Sequence, residues 1–355
     1  MSMKPRLISG DTPTGRLHLG HYVGSLEQRL ALQATHECFF FVANIHAFTT
    51  RAERVSEIRE HTLDIILDYL AVGIDPKICT LFIQSEIPAI AELTILLSML
   101  LPYQRLMRNP TVKDEIVTKQ LGDNYPFGFL LYPVGQMADI LSFKAQVVPV
   151  GEDQFPLVEM TREIARRFNQ VYCGVSPHLK DIDYPGAGGI FPIPDGLGGR
   201  IKRLVGTTGP NSTGQLPKMS KSLNNAIFLS DTPDVITQKV MGMYTDPNRL
   251  RATDKGTVEN NPLWIFHDAF NSDVEWVNQT KELYREGRIG DVACKKKLIE
   301  VLVDLIEPIR LKRLQYEQDI GQVMKILSEG CEKANQISQE TLKQVKQAMQ
   351  QDYFA

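Results

Sequence analysis

Through its first half the chain alternates short apolar runs with stripes of apolar residues at helical spacing, and few folds accommodate that pattern. Leu7-Ile8 precedes a turn, Leu19, Val23, Leu26 and Leu30 follow at the spacing of one helix face, and Cys38 to Ala43 is again a continuous apolar run. Apolar residues every three or four positions mark a half-buried helix, whereas a short unbroken run suits a strand buried on both faces. The unit repeats: Val55, Ile58, Ile65, Ile66, Tyr69 and Leu70 form a stripe ended by Gly73, and Ile78 to Ile83 is the next run. Successive β-α-β units predict a parallel, doubly wound sheet with ligands at the carboxyl ends of its strands. Further on, the spacing predicts a helix over Leu130 to Phe143, a strand over Val147 to Val150, and a helix carrying Leu157, Met160, Ile164 and Phe168.

The α/β pattern persists to about Leu204. Tyr184 to Gly199, rich in Gly and Pro, and the polar stretch Thr207 to Pro217 read as surface excursions. Gly186-Ala187-Gly188-Gly189 and Gly196-Leu197-Gly198-Gly199 lack the G-x-G-x-x-G spacing of a dinucleotide loop and read as loop glycines. Thr232-Pro233 suits an N-cap and first helical position, and from there the chain reads as almost wholly helical. A length of 355 residues exceeds the roughly 100 to 200 that one domain usually organises, so two domains are expected: 1-228, α/β and Rossmann-like, and 229-355, all-helical, its last helices packing back on the first.

A formal charge of -3 excludes a generally basic surface, although a local patch can still hold RNA. Lys295-Lys296-Lys297, with Arg310, Lys312 and Arg313, could form such a patch, against the ordinary reading of charge runs as solvated helix faces. The five cysteines, Cys38, Cys79, Cys173, Cys294 and Cys331, are scattered without a C-x-x-C pair, which suits reduced thiols and implies no zinc or iron-sulfur site. No signal pattern and no apolar run near the roughly 20 residues of a membrane span are present, so a cytoplasmic protein without membrane contact is expected.

Two segments carry the chemistry. Ser9-Gly10-Asp11-Thr12-Pro13-Thr14-Gly15 runs into His18-Leu19-Gly20-His21 between the first strand and first helix, where small residues let the backbone approach a phosphate and the helix N-terminus supplies free N–H groups. His18 and His21 could donate to phosphate oxygens there; by themselves they read equally well as two surface histidines. Lys218-Met219-Ser220-Lys221-Ser222 places two lysines among small hydroxyl residues, a set suited to a triphosphate, though a solvated lysine loop is the usual reading of such a pentamer.

Together the His-Leu-Gly-His and Lys-Met-Ser-Lys-Ser segments resemble the two signature motifs of class I aminoacyl-tRNA synthetases, in that order. Tyr132-Pro133-Val134-Gly135-Gln136-Met137-Ala138-Asp139-Ile140-Leu141 resembles the amino-acid-binding helix of the bacterial tryptophanyl-tRNA synthetases, and Val148-Pro149-Val150-Gly151-Glu152-Asp153-Gln154 a second segment of that family. The resemblance implies activation of L-tryptophan by ATP, with Mg²⁺ bound to the nucleotide, and transfer to the tRNA for tryptophan by a homodimer. It implies catalysis by His18, His21, Lys218 and Lys221, and ATP contacts from Thr12, Pro13, Thr14, Gly20, Lys113, Gly151, Glu152, Asp153, Ile201, Met219, Ser220 and Ser222. Tryptophan contacts are implied for Ile8, His46, Tyr132, Gln136, Asp139, Val148, Val150 and Gln154, with Asp139 accepting the indole N–H and Tyr132 and Gln154 meeting the amino group. An unpaired buried N–H costs about 1 to 3 kcal/mol, so an apolar pocket for indole needs such an acceptor. A core tyrosine and a satisfied core histidine are the alternatives for Tyr132 and His46. The resemblance also implies that 229-355 meets the anticodon. The competing functions are a tyrosyl-tRNA synthetase, a small-molecule adenylyltransferase and a synthetase-like RNA-binding regulator.

Overall fold

The computed structural model describes residues 4–354 apart from 123, 248, 250 and 252. Five strands, β1 (Arg6–Asp11), β2 (Glu37–Val42), β3 (Cys79–Ile83), β4 (Val147–Val150) and β5 (Asp195–Gly198), pair in the order β3-β2-β1-β4-β5. Every pairing is parallel, with Leu7 opposite both Cys38 and Val147. The chain builds outward from β1 to β3 and then returns to β4 on the other side of β1. The loops after β1 and β4 therefore diverge, and the crevice between them is where a doubly wound sheet admits a ligand.

Alternation of side chains along each strand divides the core. Leu7, Phe40, Val42 and Leu81 face the helix Val55–Val72, while Ile8, Phe39, Phe41 and Phe82 face the helices Pro88–Ser98, Phe127–Ser142 and Phe155–Cys173. Helix Val55–Val72 ends at Gly73, whose φ of 109° lies in the left-handed region open to glycine. Thr232 caps helix Pro233–Met241 by accepting the Val235 N–H. Two long C-terminal helices return to the sheet layer. Asp291–Gln318 packs on Val55–Val72, and Ile320–Ala348 packs on β3, Pro88–Ser98 and Phe127–Ser142.

Three expectations are corrected. Tyr184 to Gly199 is not wholly a surface excursion, because Asp195–Gly198 forms the edge strand β5. Its glycines admit a neighbour: a Cβ on Gly196 would stand 3.1 Å from the Phe155 ring, and one on Gly198 would stand 3.3 Å from it. A strand whose face under an aromatic ring is bare of side chains carries no hydrophobic alternation, so periodicity cannot find it. The helix expected over Leu130 to Phe143 begins at Phe127, directly after Pro126, and continues through Pro133. Finally, Lys295 and Arg313 do not lie on a solvated face. Both are buried, and the Lys295 Nζ donates to Met241 O, Met243 O and Thr245 Oγ1 at 2.7 to 3.0 Å. No helix is long and apolar enough to cross a membrane among the described residues.

Candidate active site

A cavity of about 550 Å³ opens at the carboxyl ends of β1 and β4. Its volume is in the range usual for small-molecule sites, and its two ends differ in chemistry.

One end is built by the turn after β1. Gly15 takes a φ of 111°, and His18 opens the following helix as its N-cap. His18 Nδ1 accepts the Gly20 N–H at 3.1 Å, and His21 Nδ1 accepts the His18 N–H at 3.2 Å. A neutral imidazole that accepts at Nδ1 carries its proton on Nε2, so the backbone leaves each ring with an Nε2–H to donate. Both rings are held neutral. Burial pushes His18 far below the usual histidine range, helped by His21, Lys221 and Lys218; burial also takes His21 down to about 4 against the pull of Asp11. Gly20 is fitted to this arrangement, since a Cβ there would lie 2.9 Å from two atoms of the His18 ring.

The lysine segment reaches the same end through backbone pairing. His18 bridges Phe228 in antiparallel fashion, flanked by Leu19 N–H to Ile227 O and Leu229 N–H to Leu17 O, both at 3.0 Å. Val205 bridges Lys218, Met219 is buried, and the Ser220 N–H donates to Asn225 Oδ1 at 2.7 Å. Lys221 Nζ donates to Gly15 O at 2.7 Å and to Thr14 Oγ1 at 3.2 Å, tying one segment to the other. Burial lowers Lys221 to about 8 although Asp11 and Asp68 oppose the shift. Lys218 Nζ stands 3.5 Å from Asp153 Oδ1 on the loop after β4. The Ser220 and Ser222 hydroxyls share a hydrogen bond at 2.9 Å, and Thr12, Gly151 and Asp153 complete the lining here.

At the other end Asp139, on helix Phe127–Ser142, is 1% exposed. The Gln84 amide donates to Oδ1 at 2.8 Å and to Oδ2 at 2.9 Å, and His46 Nε2 lies 2.9 Å from Oδ2. Gly135 lets His46 approach, because a Cβ there would stand 2.8 Å from the ring. Ile8, Val148 and Val150 line this end, with Tyr132 on the helix face of Asp139. Burial raises the Tyr132 hydroxyl, and the nearby Glu115 carboxylate adds to the shift. Between the two ends Gln136 Nε2 donates to Gln154 Oε1 at 3.4 Å.

Most of the residues expected at a site thus line one cavity. Four do not. Lys113 is exposed on helix Pro110–Thr118, which turns Glu115 into the cavity instead; Glu152 is exposed beside Lys202 at 3.4 Å; Pro13 is buried behind the loop, and Ile201 packs against the core. Sequence reasoning passed over two groups. Gln84 follows β3, and its position at the carboxyl end of a parallel strand was the signal available. The other is the link from Asp11 to the buried Arg29 and Tyr69, in which Asp11 Oδ2 accepts from Arg29 at 2.8 Å and Tyr69 at 2.6 Å. Burial would raise Asp11, but Arg29, His21 and Tyr69 outweigh it and hold the carboxyl below its ordinary value.

A parallel doubly wound sheet carrying these paired segments defines a class, and residues 2–307 match the family model of the tRNA synthetases class I (W and Y). The chain belongs to that family. Within it, the chain is 46% identical over 356 residues to the tryptophan–tRNA ligase of Streptococcus agalactiae serotype V, covering 99% of each. The tryptophan–tRNA ligase of Clostridium longisporum is 46% identical over 353 residues, 99% of this chain and 98% of the relative. The solved tryptophanyl-tRNA synthetase of Campylobacter jejuni, complexed with ADP and tryptophan, superimposes with a TM-score of 0.79 at 27% identity, covering 97% of this chain and 99% of that one.

Proposed function

We infer that the chain is a tryptophan–tRNA ligase: it activates L-tryptophan with ATP and transfers it to tRNA. The observation that carries this reading is one cavity with a buried carboxylate at one end and an array of donors at the other. An ionised carboxylate offers about four lone-pair sites, and the Gln84 and His46 contacts engage three of them at Asp139, leaving capacity for an indole N–H. Phenylalanine would bring no donor to it. The apolar surfaces of Ile8, Val148 and Val150 would meet the ring, and Tyr132, Gln136 and Gln154 the amino-acid head.

ATP would enter as its Mg²⁺ complex, the ion held by the phosphates and offsetting their charge. In this reading the tryptophan carboxylate attacks the α-phosphorus, the bond to the bridging oxygen of the β-phosphate breaks, and pyrophosphate departs with the electron pair. The Nε2–H groups of His18 and His21 and the Lys221 ammonium donate where charge grows, and the buried setting strengthens each contact. Neutral histidines keep the site from binding phosphate so tightly in the ground state that the transition state gains nothing. Lys218, Thr14, Ser220 and Ser222 hold the phosphates in this account, and Gly151 and Asp153 the ribose. In the second step the terminal ribose hydroxyl of tRNA attacks the mixed anhydride and AMP leaves. No protein nucleophile is required. Residues 229-355 as an anticodon-facing unit, a homodimer and a cytoplasmic location belong to the same reading.

The deciding assay is exchange of labelled pyrophosphate into ATP with each amino acid in turn. Exchange that depends on tryptophan is expected; exchange with tyrosine alone would overturn the substrate, and exchange with none would overturn the activity.

A further inference from the structure

Arg313 belongs to a C-terminal helix, Asp291–Gln318, yet it is 3% exposed and both terminal nitrogens of its guanidinium are engaged with another part of the chain. Nη1 donates to Asp64 O at 2.8 Å and to Asp68 Oδ1 at 2.5 Å, Nη2 pairs with the Asp64 carboxylate, and Nε donates to Glu317 Oε1 at 2.9 Å. Asp64 and Asp68 sit one turn apart on helix Val55–Val72.

Asp68 has a second duty. It is 1% exposed, and its other oxygen, Oδ2, accepts the Leu17 N–H at 2.7 Å. Leu17 immediately precedes His18, and its carbonyl accepts from Leu229. The peptide that delivers His18 is therefore held from two directions, by the 227–229 segment and by Asp68. A buried carboxylate is a firm anchor for an N–H only while it stays charged and correctly turned. Burial drives Asp68 up to about 6 even with Arg313 opposing it. The planar fork of an arginine can fix the orientation of one carboxylate while bridging to a second, which a lysine cannot do. The same loop carries Thr14 and Gly15, the partners of Lys221, so slack in it would reach the ammonium as well as the imidazole.

We propose that Arg313 is a positioning residue for the reaction, holding Asp68 so that the Leu17 peptide sets the His18 ring at the phosphate end of the cavity. The proposal rests on the functional reading above and adds to it a physical link from a C-terminal helix to the reacting end of ATP. Arg313 itself touches no substrate, and its effect passes through one carboxylate.

The test uses the full chain with Arg313→Met and Arg313→Lys. Tryptophan-dependent pyrophosphate exchange is measured with kcat and KM separated, and deuterium uptake is followed in peptides covering residues 14–19, β1 and β4. A displacement of catalytic groups by about an ångström can cost up to a hundredfold in rate, so a fall in kcat of about tenfold is expected for Arg313→Met, with KM for tryptophan within about twofold. Uptake should rise in 14–19 and stay unchanged in β1 and β4, and Arg313→Lys should recover part of kcat. A folded Arg313→Met with kcat within about twofold of the unaltered chain, or with reduced kcat but unaltered uptake in 14–19, overturns the proposal. Should Arg313→Met not fold, Asp68→Asn keeps an acceptor for Leu17 while weakening the pair and is judged by the same measurements. Absence of exchange in the unaltered chain would instead sink the functional reading, so the two failures are distinguishable.

Discussion

The two ends of the cavity are built on opposite principles. The end built by the turn after β1 presents donors: two histidines fixed by backbone hydrogen bonds into the Nε2–H form, and a lysine lying across the loop that carries them. The end at helix Phe127–Ser142 presents an acceptor that neighbours already engage, since Gln84 and His46 both bind Asp139. Donors waiting for an anion gain most as charge accumulates on it, so they belong to rate. An acceptor oriented before the ligand arrives rejects any side chain lacking a matching donor, so it belongs to selection. Under the proposed function the two ends therefore give separable predictions.

The largest effect is expected at the donor end. Lys221→Ala should lower kcat for pyrophosphate exchange by about 10² to 10³ while tryptophan binding, followed by equilibrium dialysis, stays within about twofold. Equal losses in both would erase the division. Asp139→Asn should act at the other end, reducing kcat/KM for tryptophan by about 10 to 100 through loss of a charge-assisted hydrogen bond, with KM for ATP little changed. A matching rise in KM for ATP would mean that the helix had moved and not merely lost an acceptor.

The smallest effect sharpens the electrostatics. Lys221 is held near 8, below an ordinary lysine, so in the free protein it loses its charge as pH rises through that value. kcat/KM for ATP should therefore fall about fivefold between pH 8 and 9, and Lys221→Arg, which does not titrate there, should flatten that limb. The two histidines add no acid limb near neutrality, because His21 already sits at about 4 and His18 is pushed down further. A steep loss as pH falls from 7 to 6 in both proteins would show instead that the imidazoles titrate in that range and act only while neutral.

Much of this was open to a reader of the chain alone, for identifiable reasons. His18 and His21 stand between a strand and a helix, Lys218 and Lys221 in a loop before the helical tail, and it is the two segments taken together, through the family resemblance, that flag them. Asp139 was visible as a carboxylate set among Met137, Ala138, Ile140 and Leu141, all four of them buried. Gln84 was not, because an amide at a strand end says nothing about a carboxylate 55 positions later. Lys113 shows the converse, a lysine suggested by resemblance whose own helix faces it to solvent while Glu115 turns inward.

Local order, then, was written in the chain itself: four of the five parallel strands follow from apolar runs that only helices on both faces can cover, and the signature segments follow from their place after β1 and before the helical tail. Tertiary packing decided the charge states and the partners. Arg313 and Lys295 look like ordinary surface cations in a run of basic residues, and the fold buried them against distant carboxylates and carbonyls. Two histidines of ordinary composition became neutral Nε2–H donors because the fold withdrew water from them and gave each Nδ1 a backbone N–H. Desolvation and long-range pairing depend on what surrounds a side chain in space, and that arises only when the sheet has closed around it.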